Sequence, residues 1–329
     1  MTNINNEMLP YKVGGLLYTP ALNEGIAEKI INHTYDCLTS IAFCLEDSIM
    51  DSALYDAEQT LIKTLEKLKT HSDECELPLI FVRVRNPEHL YHISHLLDEH
   101  SNILTGYVLP KFDMSNAQEY IDVIKKLNIE NKKIFAMPIL ESQMIANKSG
   151  RTKILLNIHQ LLMEVKEYIL NVRVGGNDFC NLYGLRRSAN QTIYDIGVIR
   201  DILIDIINIF ACDFVVSGVV WEYFGLKTDE DWDNGLRCEL ELDRLNGFIG
   251  KTAVHPSQLP VIYESLKVSA DDYNDAMSIL NWDSDNLGVG KSTEGSRMNE
   301  VKCHTQWAKK IKILGDIYGV KEAINEKFI

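Results

Sequence analysis

Residues 132–142 read KKIFAMPILES, and residues 171–179 read NVRVGGNDF. Each is an apolar run closed by a carboxylate, Glu141 in the first and Asp178 in the second. A short apolar run bounded by polar residues is the pattern of a parallel strand buried on both faces. A lone acid at the carboxyl end of such a strand stands where barrels and open α/β sheets carry their chemistry. Two such acids from neighbouring strands offer oxygen donors only, which suits Mg²⁺ with positions left open for a substrate. The structural alternative is a helix cap at Glu141 and a turn at Asp178.

Outward from these two stretches the same unit recurs. Strand patterns are read at 13–19, 40–45, 78–85, 104–109, 132–140, 170–175, 213–220 and 248–254. Helical spacing lies between them, at 23–32, 52–69, from Asn86-Pro87, and at 115–127, 152–168, 196–210, 231–245 and 257–266. Asn86 is a cap and Pro87 a first helical residue. Eight repeats of strand then helix predict an α/β fold, a TIM-like (β/α)₈ barrel. A doubly wound open sheet would need a glycine-rich fingerprint after its first strand, and Gly14-Gly15 stands at the start of that strand instead. Residues 1–268 are assigned to the barrel. Residues 269–329 are a C-terminal helical extension, a lid or oligomerisation arm, with helices at 270–282 and 298–318 and a Gly/Ser/Asp-rich linker at 283–295.

The chain has 329 residues, 46% hydrophobic and 24% charged, enough for a large core. A net charge of −14 argues against nucleic-acid or anionic-membrane partners. Local arginines can still reverse the field inside a cleft. Seven scattered cysteines without a C-x-x-C pair fit a reducing cytoplasm. The polar start MTNINNEMLP has no signal-peptide core, and no apolar run is long enough to span a bilayer.

Alternate residues of a strand share a face, so Arg83 and Arg85 are expected to point the same way from the third strand. A buried guanidinium needs a carboxylate, from a substrate or from Glu46 and Asp47 on the neighbouring strand. A purely structural ion-pair network is the plain alternative. Lys111, after a strand-ending proline, and His255 are placed at the barrel mouth. GVGKST (288–293) ends like a phosphate loop but has neither the first glycine nor a preceding strand. His89, His92 and His95 are read as a solvated helix face rather than a zinc site.

Together these pieces resemble the HpcH/HpaI aldolase and citrate lyase β-subunit (CitE-like) family. The nearest branch is the carbon–carbon bond lyases associated with tellurium-resistance-type gene clusters. The matching motifs are LLYTP (16–20), CLEDSIMD (44–51), VRVRNP (82–87), GYVLPK (106–111), PILES (138–142), GGNDF (175–179) and GFIGKTAVHPSQL (247–259). The resemblance implies a Mg²⁺-dependent lyase, with Mn²⁺ as the alternative ion, assembled as a homo-oligomer, trimer or hexamer. It implies Glu141 and Asp178 as metal ligands. Arg83 would face the substrate carbonyl, with Glu46, Asp47 and Arg85 in the catalytic set. Arg83, Lys111, Gly176 and Asn177 would bind a small-molecule acid.

CoA-dependent relatives carry arginines near the places of Gly14 and Asn23, and a lid aspartate where Asn299 stands in SRMNEVKCH (296–304). These departures point away from a CoA thioester and towards a smaller or phosphorylated acid. The implied reaction joins or splits a bond beside a carbonyl, through a metal-chelated 2-oxo or 2-hydroxy acid. A metal-bound water or Asp47 is left as the base. Two other readings stand beside it: a phosphoenolpyruvate- or pyruvate-type barrel enzyme, and an inactive binding or scaffold protein on the same barrel.

Overall fold

The structure, a computed structural model, describes residues 3–129, 133–225, 231–283 and 287–321. These form two compact units. One is Val13–Ile262, and the other joins the amino-terminal residues up to Lys12 to the chain from Tyr263 onward. The barrel unit therefore starts and stops inside the 1–268 expected from sequence.

The chain opens with α1 (Asn3–Lys12). Sequence reading missed this helix because its polar start and Pro10 show no amphipathic period. The barrel then runs β1 (Gly15–Pro20), α2 (Ile26–Ile31), β2 (Ser40–Cys44), α3 (Leu54–Thr70), β3 (Leu79–Arg83) and α4 (Pro87–Leu96). It continues with β4 (Gly106–Leu109), α5 (Ala117–Leu127), β5 (Phe135–Leu140), α6 (Gln143–Ala146) and α7 (Arg151–Met163). The last units are β6 (Arg173–Val174), α8 (Gly176–Leu182), α9 (Gly197–Phe210), α10 (Asn234–Leu245), β7 (Lys251–Ala253) and α11 (Gln258–Leu266).

All pairings in the main sheet are parallel, in the order β6-β5-β4-β3-β2-β1-β7. The seventh expected strand, 213–220, is not a regular strand. It survives as two bridges, Val172 with Val216 and Gly218 with Lys251, so the segment pairs with both ends of the sheet and closes the ring. At Gly218 the backbone packs closely on α10, where a Cβ would stand 2.6 Å from Asp243 Oδ2.

A buried ionic cluster fixes this last seam. Lys251 Nζ lies 2.9 Å from Glu239 and 2.6 Å from Asp243, both on α10, and the Tyr194 hydroxyl donates to Asp243 at 2.7 Å. Side chains alternate along a strand, so Lys251 faces the outer helix while Thr252 faces inward.

The helices form as their patterns dictate. The Asn86 side chain accepts the His89 N–H at 2.8 Å and Pro87 begins α4. Helix α3 turns Ala57, Leu61, Leu65 and Leu68 to the sheet, all fully buried. Each such leucine contributes about 1.5–3 kcal/mol.

In the second unit, β8 (Val268–Ser269) leads into α12 (Ala270–Leu280), whose N-cap Ser269 accepts from Asp272 N. The expected linker at 283–295 contains a strand instead. β9 (Val289–Lys291) pairs antiparallel with β10 (Met298–Glu300), and α13 (Val301–Tyr318) follows. β11 (Val320–Lys321) pairs with β8. The Tyr318 hydroxyl donates to Tyr11 O at 2.6 Å and ties α13 to α1. Among the described residues no helix is long and apolar enough to cross a membrane.

Candidate active site

Glu141 follows the last residue of β5 and is 4% exposed; Asp178 lies in the first turn of α8. Gly175, just past β6, brings them together. A Cβ there would overlap Glu141 Oε2 and stand 3.0 Å from Asp178 Oδ2, so only glycine lets the two carboxylates converge. Glu141 Oε1 accepts the Lys111 N–H at 2.7 Å. Lys111 takes a left-handed φ of 50° to offer it. Burial, with the Asp178 charge beside it, pushes the Glu141 carboxyl up to about 8. Burial also raises Asp178.

Arg83, the last residue of β3, crosses from this pair to a second one. Its Nη2 lies 2.7 Å from Glu46 Oε2, 3.1 Å from Asp47 Oδ2 and 3.8 Å from Glu141 Oε1. The guanidinium sits over the Tyr18 ring at 5.6 Å. Burial alone would lower its pKa, but Tyr18, Glu46 and Glu141 outweigh burial and the net shift is upward. Lys111 Nζ donates to Glu46 Oε1 at 2.7 Å and reaches Asp47 Oδ1 at 3.5 Å. Burial raises Asp47, but its bond to Glu46 and the charges of Arg83 and Lys111 win, so Asp47 is held below the usual range. Its side chain is 55% exposed and lines the cleft.

Arg85 is not brought to this cleft. Strand alternation holds only inside the ladder, and β3 ends at Arg83. Beyond it the chain turns. Arg85 donates to Leu45 O at 2.8 Å and Ile49 O at 2.6 Å and pairs with Asp51, which pins the loop after β2. Asn177 lines the cleft; Gly176 does not, since it packs its Cα against Val219. His255 stacks on Phe224 at 4.5 Å and bonds Ser257. The solvated histidine face fails at His89, which is buried: Nδ1 accepts the Arg85 N–H at 3.1 Å and Nε2 meets buried Glu58 at 3.1 Å. Asn299 is buried within the second unit.

The sequence reading passed over Arg173. It lies on β6 between Val172 and Val174, 2% exposed, and lines the same cleft of about 210 Å³ with Tyr18 and Thr252. Its Nη2 donates to Thr252 Oγ1 at 2.6 Å, and its Nη1 to Ser217 Oγ at 3.3 Å and Asn171 Oδ1 at 3.5 Å. The signal was present in NVRVGGNDF. Asn171 and Arg173, two apart, share one face of a strand otherwise apolar.

The family described as C-C bond lyase of the TIM-barrel fold matches residues 7–320. The chain belongs to that family. It is thereby a carbon–carbon bond lyase. A search of curated proteins found no significant match in sequence. Solved structures share the lyase's fold. The citrate lyase of Burkholderia xenovorans LB400 has a TM-score of 0.67 at 13% identity, over 94% of this chain and 92% of that one. CitE of Mycobacterium tuberculosis, solved with magnesium, acetoacetate and coenzyme A, has a TM-score of 0.58 at 17% identity, over 92% and 99%. RipC of Yersinia pestis has a TM-score of 0.55 at 16% identity, over 79% and 98%.

The lyase's own residues fit a divalent cation of the hard, oxygen-loving kind. Two carboxylates are crowded beside Gly175, and one of them is held so far above its ordinary 4.5 that ionising it there costs on the order of 5 kcal/mol. A bound cation relieves that cost. Among the described residues no group of three or more His, Cys, Asp and Glu is arranged to hold a metal. A two-carboxylate set is the usual arrangement for Mg²⁺, which keeps several waters or substrate oxygens.

Proposed function

We propose that this lyase makes or breaks the carbon–carbon bond beside the carbonyl of a 2-oxo acid, with Mg²⁺ held by Glu141 and Asp178. The observation that carries the reading is the convergence of these two carboxylates at Gly175, facing the Arg83 guanidinium across 3.8 Å. Bound there, the ion would supply Lewis-acid polarisation of the acid's carboxylate and carbonyl oxygens.

The chain's own groups supply the rest. Asp47, ionised and open to the cleft, takes the proton from the carbon next to the carbonyl. The electron pair moves to the carbonyl oxygen, where Arg83 holds the developing charge; one such donor is often worth about 3–4 kcal/mol. The enolate carbon then adds to an aldehyde or ketone carbon, the alkoxide so formed takes the proton back from Asp47, and the reverse sequence cleaves the bond. Glu46 receives Arg83 and Lys111 at 2.7 Å each and fixes both cations before substrate arrives. Lys111 and Asn177 are assigned to the acid's outer oxygens. Arg85 acts one step away, by holding the loop that carries Asp47.

Mn²⁺ is expected to substitute. The small cleft supports an acid without a CoA arm. We also place the enzyme in the cytoplasm, where its seven free cysteines stay reduced, as a trimer or hexamer, which sedimentation would report.

Exchange of the pyruvate methyl protons with D₂O, followed by NMR with Mg²⁺ present, tests the enolisation step without knowledge of the second substrate. Exchange above the buffer rate, abolished in Glu141→Gln and Arg83→Gln, is expected. No exchange with pyruvate, 2-oxobutyrate or 2-oxoglutarate would overturn the reading.

A further inference from the structure

We propose that the barrel floor below the carboxylate pair is a second anion site built on Arg173, so the acid this lyase handles is a dicarboxylate. The proposal rests on the reading above for the metal end of the substrate and goes beyond it at the other end.

Four arginines are buried: Arg83, Arg151, Arg173 and Arg187. Arg83 meets Glu46 and Asp47. Arg151 meets Asp201 and Asp205 at 2.9 and 2.8 Å, and Arg187 meets Glu239 at 3.6 Å. Of these four, among the described residues, Arg173 alone has no carboxylate within 4.0 Å. Its partners Thr252, Ser217 and Asn171 are neutral, and so is the adjoining Tyr18 phenol, whose pKa burial raises above its usual value. Its buried Nε finds no acceptor among the described residues. A guanidinium left in this state is a strongly unfavourable arrangement, because its charge is desolvated and uncompensated. Three neighbouring segments of the barrel nevertheless hold it in place in the wall of the cleft.

The placement also fits. Ile139 of β5 pairs with Arg173, and Leu140 with Val174. Arg173 is thus two residues, roughly 7 Å along the strand, below the Gly175 level where Glu141 and Asp178 meet. A 2-oxo acid engaged at its first carboxylate and carbonyl by the metal pair would lay its far end in this direction. A planar carboxylate matches the fork of a guanidinium. The cleft of about 210 Å³ admits a small diacid and lies below the size of pockets that take drug-sized ligands.

The alternative is that Arg173 only cross-links the strands. Calorimetry on the full chain loaded with Mg²⁺ separates the two, using pyruvate and 2-oxobutyrate against oxaloacetate and 2-oxoglutarate. The wild type is expected to bind at least one diacid about tenfold or more tighter than pyruvate, the gain of one charge-assisted pair. Arg173→Gln should erase that preference and leave the Kd values of Mg²⁺ and pyruvate within about twofold. Thr252→Val, which removes the hydroxyl that orients Nη2, should reduce the preference in the same direction.

Equal affinities for mono- and diacids in the wild type overturn the proposal. So does binding of no diacid, or a loss in Arg173→Gln that strikes both classes alike. Should Arg173→Gln not fold, an unchanged preference in Thr252→Val overturns it. Arg173-dependent diacid binding in a protein that takes no Mg²⁺ would uphold this site and sink the metal reading. Mg²⁺-dependent pyruvate binding without diacid preference would do the reverse.

Discussion

Glu141 carries the strongest local consequence of the fold. The unfolded chain releases its proton near 4.5, whereas the metal-free folded protein releases it near 8. Between those values the folded state binds more protons. Its contribution to stability is therefore full below 4.5, declines as pH rises and levels off above about 8. The metal-free protein should show Tm falling through this window, and Glu141→Gln should flatten the fall. If Glu141 holds Mg²⁺ as proposed, binding below about pH 8 should release close to one proton, and affinity should climb up to tenfold per pH unit. Calorimetry in buffers of different ionisation enthalpy reads both. Gly175→Ala inserts a methyl where Glu141 Oε2 lies; Mg²⁺ affinity should drop at least tenfold, the range seen when ligand-orienting contacts are lost, with the fold intact by circular dichroism. At this scale the sequence disclosed the acids readily, because a carboxylate at the end of an apolar strand breaks a pattern. It misled at Arg85, where alternation was carried past the last ladder residue. Arg173 was hidden because two valines flank it and the strand reads as apolar.

Among the elements, the seam closed by residues 215–218 is where pattern and structure part. Two bridges, not a ladder, join it to its neighbours, and the Lys251–Glu239–Asp243 cluster takes over their role. Lys251→Met would leave buried Asp243 without a cation and Glu239 with Arg187 at 3.6 Å. The expected loss is about 3–5 kcal/mol in urea denaturation, as for removal of one partner from a buried pair. A loss below about 1 kcal/mol would show that the seam does not depend on the cluster. Nothing in the residues 213–220 alone announces that dependence, since Lys251 and α10 are distant in sequence. The long helices, by contrast, were legible from their 3.6-residue period, and α4 from its Asn-Pro cap. The β9–β10 hairpin escaped because three-residue strands in a Gly- and Ser-rich stretch carry no countable period.

At the scale of the whole molecule, repetition made the fold readable: eight strand–helix units leave little choice but a closed parallel barrel. Family membership over residues 7–320 agrees with that reading, and the shared fold of distant lyases extends it to proteins of 13–17% identity. What repetition does not encode is which strand ends cooperate, since that depends on how the ring closes. Arg83, from β3, answers to Glu46 and Asp47 after β2 and to Glu141 after β5, while Arg173 is met by Thr252 of β7.

On the proposed function, Glu141 and Asp178 form one Mg²⁺ site that a 2-oxo acid completes. Titration of Mg²⁺ into the metal-free protein, with and without pyruvate or oxaloacetate, tests it directly. Binding should be tightened by an oxo acid and lost in both Glu141→Gln and Asp178→Asn. Absence of Mg²⁺ binding in the wild type, or binding that survives both substitutions, would contradict the account.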